Sequence, residues 1–340
     1  MAAHTSDTSS SADSTSGGYV SPLLDLLPGA VAAEAPDAGV AAHYGELFRE
    51  QRALARGEGF VDLSHRDVVT VTGQDRLSWL HLLLTQHVSE LPPGQATEAL
   101  VLSAKGHIEH AVHLVDDGET TWLHTEPGQA GPLIGYLESM RFFYRVEVAD
   151  RTADVAVVHL PAGAITELPP GTGVLETPYG RDAFLARAEL PAFAATAGPP
   201  AGVLALEALR VEARRPRLGR ETDHRTIPHE LGWLDTAVHL HKGCYRGQET
   251  VARVHNLGRP PRRLVFLHLD GSEVRLPEHG EPVRLAADGA EGRQLGFVTT
   301  AARHHELGPI ALALVKRNVP ADADLLAGQT VAAQEIVVAP

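Results

Sequence analysis

The residues with the clearest capacity for chemistry surround the one cysteine of this 340-residue chain. Two cations and two glycines flank its sulfur in an octapeptide, Lys242-Gly243-Cys244-Tyr245-Arg246-Gly247-Gln248-Glu249. Because positive charge favours a thiolate, Lys242 and Arg246 predict that Cys244 is a reactive thiol. Gly243 and Gly247 permit a tight turn and a close approach of the backbone to a ligand. The alternative is a small apolar cysteine packed in a core.

A second candidate is Glu212, near the end of a helix predicted over 203–214 and stopped by Pro216. A carboxylate is unfavourable at the negative end of a helix dipole unless something holds it there. One interpretation is that it accepts two adjacent N–H donors of a ligand. The other is an ion pair with one of the neighbouring arginines, which are Arg210, Arg214 and Arg215.

The 19 histidines raise the question of a metal site. His239 and His241 would face the same side of a strand, but no further ligand spacing accompanies them, so we expect no metal. A serine hydrolase is not supported, because the chain lacks a Gly-x-Ser-x-Gly turn. A thiol hydrolase pairing Cys244 with a distant histidine stays open, although no third, orienting group is identifiable.

Composition predicts an ordinary globular protein of two or three domains, with 44% hydrophobic and 21% charged residues. A single cysteine excludes an intramolecular disulfide framework and fits a reducing, cytoplasmic setting. No apolar run approaches the roughly 20 residues that span a bilayer, so no membrane association is expected. The start of the chain has no basic-then-apolar pattern typical of a secretory signal.

The net charge of −14 is unevenly distributed. Residues 207–263 hold twelve Lys and Arg against seven Asp and Glu, a local +5, so the rest of the chain carries −19. A basic region in an acidic protein indicates a site for an anion, either a small carboxylated or phosphorylated molecule or RNA, or else a solvated helix face. Its few aromatic residues, Trp233 and Tyr245, disfavour stacking of single-stranded bases.

The pattern of turns and apolar runs predicts four units. Residues 1–43 are predicted to be a disordered tail with a short apolar patch over 23–27 that could dock. A first α+β lobe over 44–150 starts with a strand over 68–71, a helix capped by Asp75 and a hairpin over 99–115. A second α+β lobe over 151–261 contains the cysteine motif, and short strands over 262–340 predict a small β-barrel.

These motifs together resemble the YgfZ-type folate-binding proteins, relatives of the glycine-cleavage T protein, a tetrahydrofolate-dependent aminomethyltransferase. The octapeptide around Cys244 carries most of the resemblance. Three further segments are similar and occur in the same order: Val71-Thr72-Gly73-Gln74-Asp75, Arg210-Val211-Glu212, and Leu295-Gly296-Phe297-Val298-Thr299. The resemblance covers about residues 60 to 320.

The resemblance implies an α+β, aminomethyltransferase-like fold in which two α+β lobes and a C-terminal β-barrel form a three-lobed ring. It implies a central pocket for tetrahydrofolate or a one-carbon derivative, with Glu212 on the pterin and Arg225 and Arg253 as candidates for the glutamate tail. It also implies a role in assembly or repair of iron–sulfur clusters. The partners would be iron–sulfur client or assembly proteins, some of which modify tRNA, without direct tRNA binding.

The sequence departs from the transferases at one place. Where they carry paired aspartates after a Gly-Gly turn, this chain reads Gly106-His107-Ile108-Glu109-His110. Aminomethyl transfer, with Glu109 as the proton acceptor, is therefore the enzyme alternative to a folate-binding accessory protein. An RNA-binding module that uses the basic region is the third hypothesis.

Overall fold

The computed structural model describes residues 18–177, 179–272 and 275–339, which form two five-stranded sheets, a two-stranded sheet and a closed barrel. Within these ranges, no helix has the length and apolar character to cross a membrane. The predicted α+β content and the predicted C-terminal barrel are both confirmed.

Residues 18–150 form the first sheet, its helices and an N-terminal segment. The elements are α1 (Leu23–Leu26), β1 (Val31–Ala32), β2 (Ala41–His43), α2 (Leu47–Ala55), β3 (Phe60–Asp62), β4 (Asp67–Thr72), α3 (Arg76–Leu83), β5 (Ala96–Leu102), β6 (Ile108–Asp116), β7 (Thr120–Thr125), α4 (Ala130–Ser139) and β8 (Glu147–Asp150). The first sheet is antiparallel in the order β5-β6-β7-β4-β8. Leucines and valines of its strands pack with α3 and α4 in one apolar cluster.

The predicted capping of α3 by Asp75 is wrong. The side chain of Asp75 makes no cap hydrogen bond. Its carboxylate instead accepts hydrogen bonds from Nε and Nη2 of Arg145, both at 2.8 Å. A guanidinium with two parallel donors competes successfully with a single backbone amide for the same carboxylate.

The N-terminal segment is the main correction to the predicted organisation. Residues 1–17 of the predicted tail lie outside the described residues, but residues 18–43 are ordered against the body. Leu23 and Val40 are buried, each in an apolar cluster with strands of the second sheet. Asp37 pairs with buried Arg217. The Ser/Asp/Ala/Pro composition resembled a tail, but a few apolar residues and one acid fix the segment through contacts remote in sequence.

Residues 151–261 complete the second sheet. They form β9 (Val155–Pro161), β10 (Gly173–Thr177), β11 (Gly180–Ala186), α5 (Leu190–Ala194), β12 (Pro200–Ala201), α6 (Val203–Glu212), α7 (Trp233–Thr236) and α8 (Gln248–Leu257). The sheet order is β10-β11-β9-β3-β12. Strand β3 comes from before the first sheet, so the second sheet takes in part of the chain assigned to the first lobe. His239 and His241, predicted on a strand, lie in a turn before α8 instead.

Six strands close the C-terminal barrel in the order β13-β16-β15-β14-β17-β18. They are β13 (Arg262–Leu269), β14 (Pro282–Leu285), β15 (Gly296–His304), β16 (Gly308–Lys316), β17 (Leu325–Ala327) and β18 (Thr330–Ile336). Helix α6 joins the second sheet to the barrel, because it packs against β3, against the neighbouring α2 and β2, and against β15 of the barrel. The residues at and after its C-terminus therefore lie where the units meet.

Candidate functional site

A cavity of about 340 Å³ lies at this junction. Its size is within the range of small-molecule sites. Both sheets, α2, α6, α7 and the segment after α6 contribute to its wall. The residues with polar or aromatic side chains are Arg66, His113, Thr125, Glu126, His159, Thr177, Tyr179, Asp182, Glu207, Arg210, Glu212, Arg215, Arg217 and Trp233.

Glu212 is the last residue of α6 and lines this cavity. Its side chain is 47% exposed, and its nearest charged or imidazole partner is Nε2 of His304 at 3.8 Å. The alternative of an ion pair with a neighbouring arginine is not what the structure shows. Arg210 pairs with Glu207, and Arg214 pairs with Glu335 of the barrel. The Glu212 carboxylate therefore keeps its acceptor oxygens available to a ligand.

Arg215 supplies a cation to the same cavity. Its guanidinium lies over the ring of Tyr179, 3.8 Å from the centroid. No carboxylate of the described residues comes within ion-pair distance of it, and burial lowers its pKa from the usual value. A desolvated guanidinium held by an aromatic face but without an acidic partner is suited to an anionic group of a ligand.

Buried charges stabilise the cavity wall. Nη2 of Arg217 donates to Asp37 and to Glu126, both at 2.6 Å, and its Nη1 lies 3.4 Å from Glu207. Burial alone would lower the pKa of Arg217, but Glu126, Glu207 and Asp37 outweigh it and raise the pKa. Arg210 donates to Glu207 and to buried Glu221, all at 2.9 Å. These arginines are fully engaged within the protein, so their role is to hold the wall.

Asp182 connects the two sheets at the cavity. It is paired directly with His159 across β11 and β9, and its Oδ1 lies 2.7 Å from Nδ1 of His159. Its Oδ2 lies 3.0 Å from Nε2 of His124, on β7 of the other sheet. Burial alone would raise the pKa of Asp182, but the hydrogen bonds from His124 and His159 keep it well below the usual value. Each histidine must therefore donate its proton to an ionised carboxylate.

The cysteine motif lies on a different part of the surface. Buried Lys242 donates through Nζ to the carbonyls of His81, Leu84 and Gln86, at the C-terminal end of α3. A cation at a helix C-terminus satisfies carbonyls that have no partner within the helix. Burial lowers the pKa of Lys242 to about 8. Its function in the structure is thus to fasten the motif to α3.

The second glycine of the motif also has a structural explanation. Gly247 adopts φ 85° and precedes α8, and a Cβ there would lie 2.6 Å from the carbonyl oxygen of Ser103 and 3.0 Å from Cα of Gly106. Gly106 has φ 79°, and its own Cβ would lie 2.8 Å from Thr250. The two backbones can approach this closely only because neither residue carries a side chain.

Both cations that were expected to favour a thiolate at Cys244 make contacts of their own with other parts of the protein. Cys244 is exposed. Lys242 is engaged by three carbonyls, and Nη1 of Arg246 lies 2.7 Å from Glu109. Within the described ranges, the cavity wall includes none of Cys244, Glu109, Arg225 and Arg253. The predicted site residues thus divide, with Glu212 in the cavity and with Glu109, Arg225, Cys244 and Arg253 exposed outside it.

Arg225 and Arg253 are both exposed and outside the cavity wall, whereas Arg215 lines it together with Glu212. Five of the twelve cations in the basic region over 207–263 are in ion pairs: Arg210, Arg214, Arg217, Arg246 and Arg262. In the sequence, Arg215 is conspicuous only as a neighbour of Glu212, and no motif marks His159 or Asp182. Arg215 follows Glu212 by three positions, a usable signal, whereas nothing in the sequence places His159 opposite Asp182.

Comparison with known proteins shows matches in both sequence and fold. The family model for the glycine cleavage T-protein C-terminal barrel domain matches residues 262–336. An aminomethyltransferase of Geobacillus kaustophilus is 30% identical over 322 residues, which cover 82% of this chain and 84% of the relative. The chain belongs to the aminomethyltransferase family.

Other members of the family are similarly related. An aminomethyltransferase of Rubrobacter xylanophilus is 28% identical over 305 residues, 80% of each chain. The crystal structure of the glycine cleavage system aminomethyltransferase T from Bartonella henselae superposes with a TM-score of 0.76 and 19% identity, covering 94% of this chain and 95% of that one. This superposition confirms the predicted aminomethyltransferase-like fold.

Proposed function

We propose that this member of the aminomethyltransferase family is a cytoplasmic, folate-binding accessory protein of the YgfZ type that acts on iron–sulfur proteins. Tetrahydrofolate is the cofactor of the family, and the cavity is its binding site here. The observation that carries the proposal is the placement of Glu212 and Arg215, an acid and a cation without strong protein partners, in one cavity of about 340 Å³. A reduced folate needs both kinds of group.

The chemistry of the ligand matches these two residues. A pterin presents a ring N–H beside an exocyclic amine, the donor pair that the Glu212 carboxylate can accept. The glutamate tail carries negative charge, which the Arg215 guanidinium can pair with. Buried Trp233 contributes an aromatic surface to the cavity, together with Leu206 and Leu209. Apolar walls with a few oriented polar groups are typical of cofactor sites.

Two observations favour the accessory role over aminomethyl transfer. Glu109, the residue expected to act in place of the missing aspartates, is exposed, paired with Arg246 and outside the cavity wall. Cys244 is exposed and is therefore accessible to a large partner such as a client protein. It does not line the cavity. The RNA-binding alternative is less favoured, because Arg210, Arg217 and Arg262 of the basic region are in ion pairs and few aromatic residues accompany them.

Binding of tetrahydrofolate tests the first half of the proposal. We expect saturable quenching of Trp233 fluorescence at micromolar ligand, lost in Trp233→Phe. Glu212→Gln keeps the size of the side chain but replaces one acceptor oxygen by a donor, so we expect affinity to fall by about tenfold or more. Glu109→Gln, an equivalent change outside the cavity, should bind like the wild type. Equal affinity of the wild type, Glu212→Gln and Glu109→Gln for tetrahydrofolate would contradict the assignment of Glu212 to the pterin.

The accessory role is tested in cells that lack the protein. Cys244→Ala and Cys244→Ser should both fail to restore iron–sulfur enzyme activity, while retaining tetrahydrofolate binding in vitro. Full rescue by either variant would make the sulfur dispensable and refute its proposed role. Folate-dependent one-carbon release by the purified protein, abolished by Glu109→Gln, would establish the aminomethyltransferase alternative instead.

A further inference from the structure

We propose that the cavity contains an acid–base site in which His159, oriented by Asp182, exchanges a proton with the bound ligand. His159 lines the cavity and is only 6% exposed. Its Nδ1 is committed to Asp182 at 2.7 Å. The opposite ring nitrogen, Nε2, has no hydrogen-bond partner among the described residues and is not sealed from the cavity.

The geometry fixes the tautomer of His159. Because Asp182 is ionised, it can only accept, so Nδ1 of His159 carries the proton and Nε2 presents a lone pair. A carboxylate behind an imidazole holds the ring in place and stabilises the imidazolium that forms on protonation. This arrangement is the one required of a general base.

A neighbouring histidine on the same carboxylate lacks this access. His124 uses its Nε2 to bind Asp182, and its Nδ1 is buried without a partner. His124 is 0% exposed and stacks on His113, with ring centroids 5.0 Å apart. Asp182 thus holds two imidazoles, one that connects the sheets and one that reaches the ligand.

The proton step needs no further reactant. Nε2 of His159 forms a bond to a proton of a ligand N–H or O–H, the electron pair of the broken bond stays on the ligand atom, and the positive imidazolium rests against Asp182. The reverse step returns the proton to a ligand nitrogen, which is what a nitrogen must receive when a one-carbon group leaves it. No group is oxidised or reduced.

Other charged groups act on His159 besides Asp182 and His124. The titratable and charged residues that share the cavity wall are His113 from β6, Arg66 before β4, Glu126 after β7, Tyr179 before β11, Glu207, Arg210 and Glu212 from α6, and Arg215 and Arg217 after α6. Burial lowers the pKa of His113 far enough to keep it neutral. His113 is therefore a poor proton acceptor, and of the two imidazoles in the cavity wall only that of His159 is hydrogen-bonded to Asp182.

The test uses two matched variants of the full-length protein. In His159→Asn the amide NH₂ replaces Nδ1–H towards Asp182 while Nε2 is removed. In His124→Gln the amide NH₂ replaces Nε2–H towards Asp182 while Nδ1 is removed. Both variants keep a donor on the carboxylate, but only the first deletes the group facing the ligand.

Tetrahydrofolate binding is measured by calorimetry in buffers of different ionisation enthalpy. The wild type should take up or release up to about one proton for each tetrahydrofolate that binds. His124→Gln should retain this exchange and His159→Asn should lose it. An unchanged proton count in His159→Asn, or its loss in His124→Gln alone, would overturn the proposal.

The ligand identity rests on the proposed function, but the acid–base site can be tested without it. If tetrahydrofolate does not bind, the proposed function fails. The histidine tautomers of the ligand-free protein can still be measured by ¹⁵N-edited NMR. His159→Asn and His124→Gln then assign the signals, because each variant removes the signal of one histidine. A proton on Nδ1 of His159 and on Nε2 of His124 supports the site. A proton on Nε2 of His159 would refute it.

Discussion

The guanidinium of Arg246 lies 2.7 Å from the carboxylate of Glu109 and joins the cysteine motif to strand β6. Both side chains are more than a third exposed. An exposed pair of this kind is screened by solvent and typically contributes below about 1 kcal/mol. The pair brings together one cation expected beside Cys244 and the carboxylate expected to act as proton acceptor in aminomethyl transfer.

We therefore expect Arg246→Gln and Glu109→Gln to alter stability only slightly. A double-mutant cycle by urea unfolding should give a coupling of about 0.2–1 kcal/mol, because solvent screens both charges. A coupling above about 2 kcal/mol would show that the pair is far less solvated than its exposure indicates.

Gly247→Ala should be strongly destabilising. The positive φ strains any L-residue there, and the new Cβ would meet the Ser103 carbonyl oxygen at 2.6 Å. Urea unfolding should show a loss of more than about 2 kcal/mol. The control is Gly243→Ala. Apart from its chain neighbours, no described residue has an atom within 4 Å of the added carbon, so the free energy of unfolding should change by less than about 0.5 kcal/mol. Similar losses in both variants would contradict the packing explanation.

Lys242→Met should leave the three carbonyls at the end of α3 without their donor. Because these acceptors lose a charged partner, we expect a loss of roughly 2–3 kcal/mol in thermal or urea unfolding. Lys105→Met removes an exposed ammonium and should change stability by less than about 0.5 kcal/mol. If Lys242→Met left the free energy of unfolding unchanged, the structural explanation for this lysine would be contradicted.

Arg217→Met should leave three buried carboxylates, of Asp37, Glu126 and Glu207, without a shared cation. Breaking a buried ionic network by removing one partner costs about 3–5 kcal/mol. Asp37→Asn removes only one carboxylate of the network, so we expect it to loosen residues 18–43 and leave the rest of the fold intact. Faster cleavage of this segment by chymotrypsin would show the loosening. Exposed Arg225→Met is the control, and loss of stability there would show that the effect is not specific to the network.

His229 should make the protein less stable in mild acid. Burial, with the nearby His255, lowers the pKa of His229 to about 4 from an ordinary 6.5. Between these values the unfolded chain binds a proton that the folded protein does not, so the free energy of unfolding falls as pH falls from 6.5 towards 4. His229→Phe should flatten this slope in urea titrations. His224→Gln, at an exposed position, should leave it unchanged.

Much of the fold followed from local patterns. The strand over 68–71, the hairpin over 99–115 and the short barrel strands all appear, because alternating apolar residues and glycine turns act over a few positions. The ordered segment over 18–43 was missed, because it is held by distant contacts, among them the pair of Asp37 with Arg217, 180 positions away in sequence. Composition alone carries no information about such a distant partner.

The sequence by itself determined the family-like motif around Cys244, the α+β lobes followed by a barrel, and Glu212 as a residue of interest. Only the tertiary structure decided that Glu212 shares a cavity with Arg215, and that Lys242 fastens the motif to α3. It also decided that His124 and Asp182, 58 positions apart, meet between the sheets. Local patterns specify elements, but a site arises where buried groups from separate elements must satisfy one another's charges and hydrogen bonds.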